Sequence, residues 1–232
     1  MGNKTHPYSM RLGITRDWQS RWFSLKPFKI FLREDYEIRQ YLDLKLKKMG
    51  VDRIEIERNG NQINVIIKTS RPGLIIGRGG TGSETLRKEL VKILKKLRSD
   101  MSTLPSLGFH EKELLLNKFE VKLQIDEIRD PEAYAMIVGG NIAEQIEKRT
   151  PFRRVVKQTL EKVLVVKGVE GIKILISGRL DGSEIARKEM FHKGKIPLST
   201  LRANMDYANV VAFCTYGTIG IKVWIYKGEV FK

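Results

Sequence analysis

The stretch 73-GLIIGRGGTG-82 decides how the rest of the chain is read, because it fits two glycine loops at once. Gly77, Gly79 and Gly82 spell G-x-G-x-x-G, the fingerprint of dinucleotide-binding folds. Gly77 and Gly80 spell G-x-x-G, a loop that clamps a nucleic-acid backbone. Either loop sets backbone N–H groups near phosphate at the start of a helix. The flanking elements must therefore separate the two.

A dinucleotide fold needs a parallel βαβ unit whose strand runs straight into the first glycine, with an acidic residue about 20 positions on. Here VDRIEIER (Val51–Arg58) alternates, with Ile54 and Ile56 on one face and Arg53, Glu55 and Glu57 on the other. Asn59-Gly60 is a hairpin signal, and QINVIIKT (Gln62–Thr69) is the return strand. The two strands are thus antiparallel, and Ser70-Arg71-Pro72-Gly73 separates the second from the loop. The position about 20 residues on falls near Arg98 and Asp100, at a helix end, and no G-K-[ST] follows. A lone G-x-x-G has a plainer reading as a turn. In this element order and charge context it reads as the loop of a KH module and favours RNA over a cofactor. Ile75 and Ile76 pack the start of the loop on the core, and Gly77 and Gly80 let a backbone approach. Arg78 adds charge, and Ser83 caps a helix whose apolar face is Leu86, Leu90, Ile93, Leu94 and Leu97.

Working outward, Ile38, Tyr41, Leu42, Leu46 and Met49 predict a helix over Asp35–Met49, ended by Gly50. Residues 99–118 read as a polar connection, and FEVKLQIDEI (Phe119–Ile128) as a third strand. Asp130-Pro131 marks a domain boundary. Beyond it, helices are expected at roughly 132–149 and 151–167, with Thr150 as N-cap and Pro151 in the first helical position. GIKILIS, IARKEMFHKG, YANVVAFCTYG and TIGIKVWIYKGEV then read as strands. The fold class is α+β: a KH domain at 35–130, then an α+β domain at 131–232 with two helices packed on an antiparallel sheet. Residues 1–34 read as a basic N-terminal arm.

Charge points the same way. The 232 residues hold 43 Lys and Arg against 27 Asp and Glu, a net +16, and 41% are apolar. A globular chain this basic implies a polyanionic partner. In the arm, basic residues interleave with Trp18, Trp22, Phe23, Phe28 and Phe31. The rings either stack on RNA or dock the arm on its own domain. Pro7 and Pro27 interrupt any long membrane-surface helix. In the helix after Thr150, Phe152, Val155, Val156, Leu160 and Val163 form one stripe, with Arg153, Arg154 and Lys157 opposite. Such charges are commonly a solvated face. Lys148 and Arg149 precede them, making a patch that binds phosphate without reading sequence.

Other chemistries find little support. The single cysteine, Cys214, rules out an internal disulfide and suits a reducing compartment. His6, His110 and His192 are far apart, so no metal site is expected, and no cofactor or small-molecule substrate. No run of 18 apolar residues and no signal peptide occur, so no membrane association and a cytoplasmic or organelle-made protein are expected. Asp126, Glu127, Asp130, Asp181 and Glu184 form no acid–base or metal motif, so no enzyme is expected. Their simpler roles are solvation, a turn at Asp181-Gly182, and pairing with Arg179 or Arg187.

MGNKTHPYSMRLGI, RPGLIIGRGG, FRRVVK, SGRLDGSEIARKE and TYGTIGIKVWIYKGE together resemble small-subunit ribosomal protein three of bacterial type, in order and over nearly the whole chain. The resemblance implies a type II KH domain, a place in the head of the small subunit, and binding to small-subunit rRNA. It also implies proteins ten and fourteen as neighbours, and a part in unwinding messenger RNA where it enters. It places Gly77, Arg78, Gly79 and Gly80 on RNA and Arg153, Arg154 and Lys157 on incoming messenger. Candidates for ribosomal RNA are Lys4, Arg11, Arg16 and Arg21 in the arm, with Lys148, Arg149, Arg179 and Arg187 beyond it. Two departures stand out: the family's loop often carries two basic residues where Arg78 and Gly79 stand, and the 99–118 connection is longer than usual. A free KH-type RNA chaperone or regulator is the alternative function.

Overall fold

The computed structural model describes residues 5–24, 28–102 and 118–231. The chain divides into two compact units, Gln19–Ile128 and a discontinuous one of Met1–Trp18 with Arg129–Lys232.

In the first unit a sheet of order β1-β2-β3-β4 is built from Ser20–Arg21, Val51–Asn59, Gln62–Thr69 and Glu120–Glu127. The hairpin strands β2 and β3 are antiparallel, and β3 pairs in parallel with β4, Ile63 opposite Val121. Alternation puts Ile54, Ile56, Ile63, Val65 and Ile67 into one core with Leu42, Leu86, Leu90 and Leu94. Helix α2 spans Phe28–Lys45, α3 Pro72–Ile76 and α4 Thr81–Ser102.

Two expectations change here. Helix α2 begins at Phe28, not Asp35, because Ile30 and Glu34 extend the Ile38–Leu42 stripe and are themselves buried. Glu34 and Asp35 tolerate this because Arg58 binds both at 2.6 Å, and Arg98 of α4 donates to Glu34 at 2.6 Å. Residues 99–102 continue α4 rather than opening the connection. Residues 103–117, which hold most of the expected 99–118 connection, lie outside the described residues.

The second unit has an antiparallel sheet of order β6-β5-β8-β7, from Gly171–Gly178 (β5), Arg187–Gly194 (β6), Ala203–Cys214 (β7) and Gly217–Glu229 (β8). Helices α5 (Ala135–Glu147) and α6 (Phe152–Val165) cover one face. Gly139 is needed for the fit: a Cβ there would lie 2.9 Å from Val210 Cγ2 of β7. Helix α6 starts after Pro151, which takes the N-cap position, so Thr150 does not cap it. Short helix α1 (Pro7–Arg11) belongs to this unit.

The N-terminal stretch is therefore not an arm. Residues up to Trp18 fold with the second unit and those from Gln19 with the first. Trp22 makes ring contacts with Phe28 and Phe31 and donates to Asp35 at 2.8 Å, so these rings dock. Phe23 and Trp18 stay exposed.

Candidate nucleic-acid interface

In the first unit the glycine loop joins α3 to α4. Gly77 takes φ 71°, ψ −178°, and Arg78–Gly80 form one 3-10 turn with Gly79 at φ 60° and Gly80 at φ 81°. A chain that turns this sharply needs positive φ at three of four positions, which glycine adopts without strain. The four glycines are not equivalent. A Cβ at Gly77 would sit 3.1 Å from the Gly82 nitrogen, and one at Gly82 only 2.5 Å from the Ile75 carbonyl oxygen. Gly82 is thus the residue that lets the first turn of α4 close on α3. The third glycine of G-x-G-x-x-G signals this, although the loop serves no dinucleotide fold. At Gly79 and Gly80 nothing lies within 4 Å, so their backbone faces open space.

Ile75 is buried, but Ile76 is 39% exposed and joins exposed Leu74 on the outer side of the loop. The expectation that both isoleucines face the core is corrected. Ser83 does not cap α4; its hydroxyl donates to the Gly80 carbonyl at 2.8 Å, as Thr81 does to Arg78 at 2.9 Å. These bonds tie the loop's carbonyls to the helix. Arg78 is exposed.

In the second unit, Phe152, Val155, Val156 and Val163 of α6 are buried, while Arg153, Arg154 and Lys157 are exposed on the opposite side. Arg153 pairs with Glu189 of β6 at 3.0 Å, which raises its pKa above the ordinary arginine value. Glu161, the acid nearest to Lys157 in sequence, makes no ion pair among the described residues. Glu189 is a site residue that sequence reading missed, because 36 residues separate it from Arg153. Arg154 and Lys157 have no ion-pair partner among the described residues. Lys148 pairs with Glu144 at 2.8 Å, and Arg149 is exposed with φ 61° at the end of α5.

The remaining basic candidates separate by burial. Arg11 is fully buried, and its guanidinium donates to the carbonyls of Pro7, Leu198 and Thr200 at 2.8 to 3.1 Å. It holds the fold and faces no RNA, so that expectation is corrected. Arg16 is drawn to Asp206 at 3.4 Å, and Arg21 to Glu55 and Glu57 at 3.0 and 2.5 Å. Both spend their charge internally. Arg179 donates to the carbonyls of Ser183 and Tyr216, not to a carboxylate. Arg187 is exposed at the start of β6. Lys4 lies outside the described residues.

No group of three histidine, cysteine or acidic side chains among the described residues is placed to hold a metal. No described helix is long and apolar enough to cross a membrane.

An antiparallel hairpin, a G-x-x-G loop between two helices and a parallel third strand define a protein of the KH class, here joined to a second α+β unit. Residues 37–133 match the family description "KH domain", and residues 142–225 match "Ribosomal protein S3, C-terminal domain". Small ribosomal subunit protein uS3 of Caldicellulosiruptor saccharolyticus is 47% identical over 231 residues, covering 99% of this chain and 94% of the relative. The protein of the same name from Lawsonia intracellularis is 46% identical over 230 residues, covering 99% and 97%. That from Bacillus thuringiensis is 43% identical over 230 residues, covering 99% and 94%. The chain belongs to the small ribosomal subunit protein uS3 family.

Proposed function

We propose that this protein is a structural constituent of the small ribosomal subunit, in the cytoplasm, that binds small-subunit rRNA and contacts messenger RNA as it enters. Its glycine loop takes RNA backbone, and Arg153, Arg154 and Lys157 touch incoming messenger and favour opened strands. Proteins ten and fourteen of the small subunit are its proposed neighbours, and no catalytic step is assigned to it. The observation that carries this reading is the orientation of the trio on α6. Three cations point away from a stripe in which Phe152, Val155, Val156 and Val163 are buried and Leu160 half-buried, with Glu189 as their one ion-pair partner among the described residues.

The test replaces all three by Ala and compares elongation by mutant ribosomes on paired and unpaired templates. Alanine is the best helix former, so α6 should persist and incorporation into subunits should change little. Slowing is expected on the paired template alone, because opened strands lose phosphate contacts. Equal slowing on both templates, or none on either, would reject the messenger role.

A further inference from the structure

The face of the second unit's sheet turned away from α5 and α6 has no assigned role. Register lays it out in rungs across the four strands. One rung runs His192, Lys173, Trp224, Tyr207. The next runs Met190, Leu175, Lys222, Asn209, and a third runs Lys188, Ser177, Gly220, Val211. Each of these three rungs carries a lysine and none carries an aspartate or glutamate; the neighbouring rung Gly194, Gly171, Tyr226, Met205 is uncharged. Lys188, Lys222 and His192 are exposed and Lys173 is half-buried. None of the three lysines has an ion-pair partner among the described residues.

The outer face of the first unit's sheet is the internal comparison. There Glu55 is bound by Lys68 at 2.8 Å and by Arg53 and Arg21 at 3.0 Å, and Glu57 takes Arg21 as well. One sheet neutralises its own cations. The other leaves them in an array with about 7 Å between successive rungs. Uncompensated charge of one sign is the complement of a polyanion.

The aromatic pair on the array decides which kind. Trp224 and Tyr207 are 5.3 Å apart, Lys173 lies 5.3 Å from the Trp224 ring centroid, and His6 packs edge-on at 4.8 Å from Tyr207. The rings are engaged with one another and are not open platforms for splayed bases, which sequence-reading sheets require. What remains without an ion-pair partner among the described residues are ammonium groups, the chemistry that complements backbone phosphate. We propose that this face is a second RNA-binding surface, on which Lys173, Lys188 and Lys222 contact the backbone of folded ribosomal RNA. The proposal rests on the RNA-binding function above and adds a surface apart from the trio on α6.

The test is lysine acetylation of the full chain, read by mass spectrometry, with and without a fully paired hairpin RNA or an unpaired oligonucleotide. Lys173, Lys188 and Lys222 should be protected by the hairpin more than by the single strand. In the triple variant Lys173→Gln, Lys188→Gln, Lys222→Gln, the log–log salt slope for hairpin binding should become shallower by roughly 2 to 3. The double variant Lys188→Gln, Lys222→Gln alters only exposed side chains, and its slope should fall by roughly 2, which guards against a folding effect of losing Lys173. If the hairpin binds and protects Lys157 while the sheet lysines stay reactive, the surface is rejected and the function stands. Protection by the single strand alone rejects the assignment to folded RNA. Protection in assembled subunits but not by RNA identifies a protein as the occupant and likewise rejects it. No binding to either RNA overturns both readings.

Discussion

Gly79 is the position in the loop at which a side chain costs least and offers most. Its φ and ψ of 60° and 22° lie in the left-handed region, and an added Cβ would meet nothing within 4 Å. Gly79→Lys should cost about 1 to 2 kcal/mol of local conformational energy while placing a second cation beside Arg78. Binding to a short single-stranded RNA should then tighten, with the salt slope steeper by roughly 0.7 for one added phosphate contact. Gly82→Ala should do the reverse, because its Cβ meets backbone oxygens that cannot yield without opening the turn. Weaker binding by Gly79→Lys would show that the open side of the loop does not face RNA. Glu55 supplies a second residue-level expectation. Burial raises its carboxyl pKa, but Lys68, Arg53 and Arg21 outweigh burial and hold it below the ordinary 4.5. A carboxyl depressed in the folded state contributes stability that is complete above its unfolded pKa and is lost as pH falls through the folded one. Hydrogen exchange of β2 and β3 should accelerate from about pH 5 to about pH 3 beyond the intrinsic chemistry, and less so in Glu55→Gln. Equal acceleration in both proteins would remove Glu55 from the acid response.

Between elements, contacts distant in sequence decide what local pattern leaves open. Strands were legible because alternation is local: Gln62–Thr69 is read to the residue, and β2 differs only by the added Asn59. The start of α2 was hidden because Glu34 and Asp35 look like surface residues until Arg58 and Arg98 arrive from other elements. Arg11 and Arg16 misled for the same reason, since composition counts charge without showing who holds it. The stripe and trio of α6 were legible from helical spacing alone, whereas Glu189 needed the fold. Asp206 shows how much such a junction carries. One oxygen accepts the Ala135 N–H at 2.9 Å, capping α5, and the other takes the Tyr8 hydroxyl and Arg16. Asp206→Ala removes the acceptor of the Ala135 N–H and of the Tyr8 hydroxyl, and leaves the Arg16 charge with the Met205 carbonyl but no carboxylate. It should destabilise the second unit by about 3 to 5 kcal/mol, seen as a lower urea midpoint by Trp224 fluorescence in a Trp18→Phe, Trp22→Phe background. A change under about 1 kcal/mol, the net worth of one ordinary hydrogen bond, would mean that water replaces it there.

At the scale of the whole chain, the KH unit is an insertion: the polypeptide starts one unit, completes another, and returns to finish the first. Helix α1 and Arg16 hold to residues near 200, through Tyr8 on Asp206 and Arg11 on the carbonyls of Leu198 and Thr200. Sequence reading missed this because nothing in the first eighteen residues names a partner almost 190 positions away. The consequence belongs to biosynthesis. A chain made from its N-terminus exposes Pro7–Arg11 first and its docking strands last, so the leading segment must wait while the KH unit forms behind it. Ribosome-bound chains stalled with about 160 residues emerged, beyond the usual size of a single domain, should resist protease within Phe28–Ser102 yet be cut near the N-terminus. Protection of the first segment should appear only once β7 and β8 have emerged. Protection at the shorter length would show that the N-terminal segment first finds another partner.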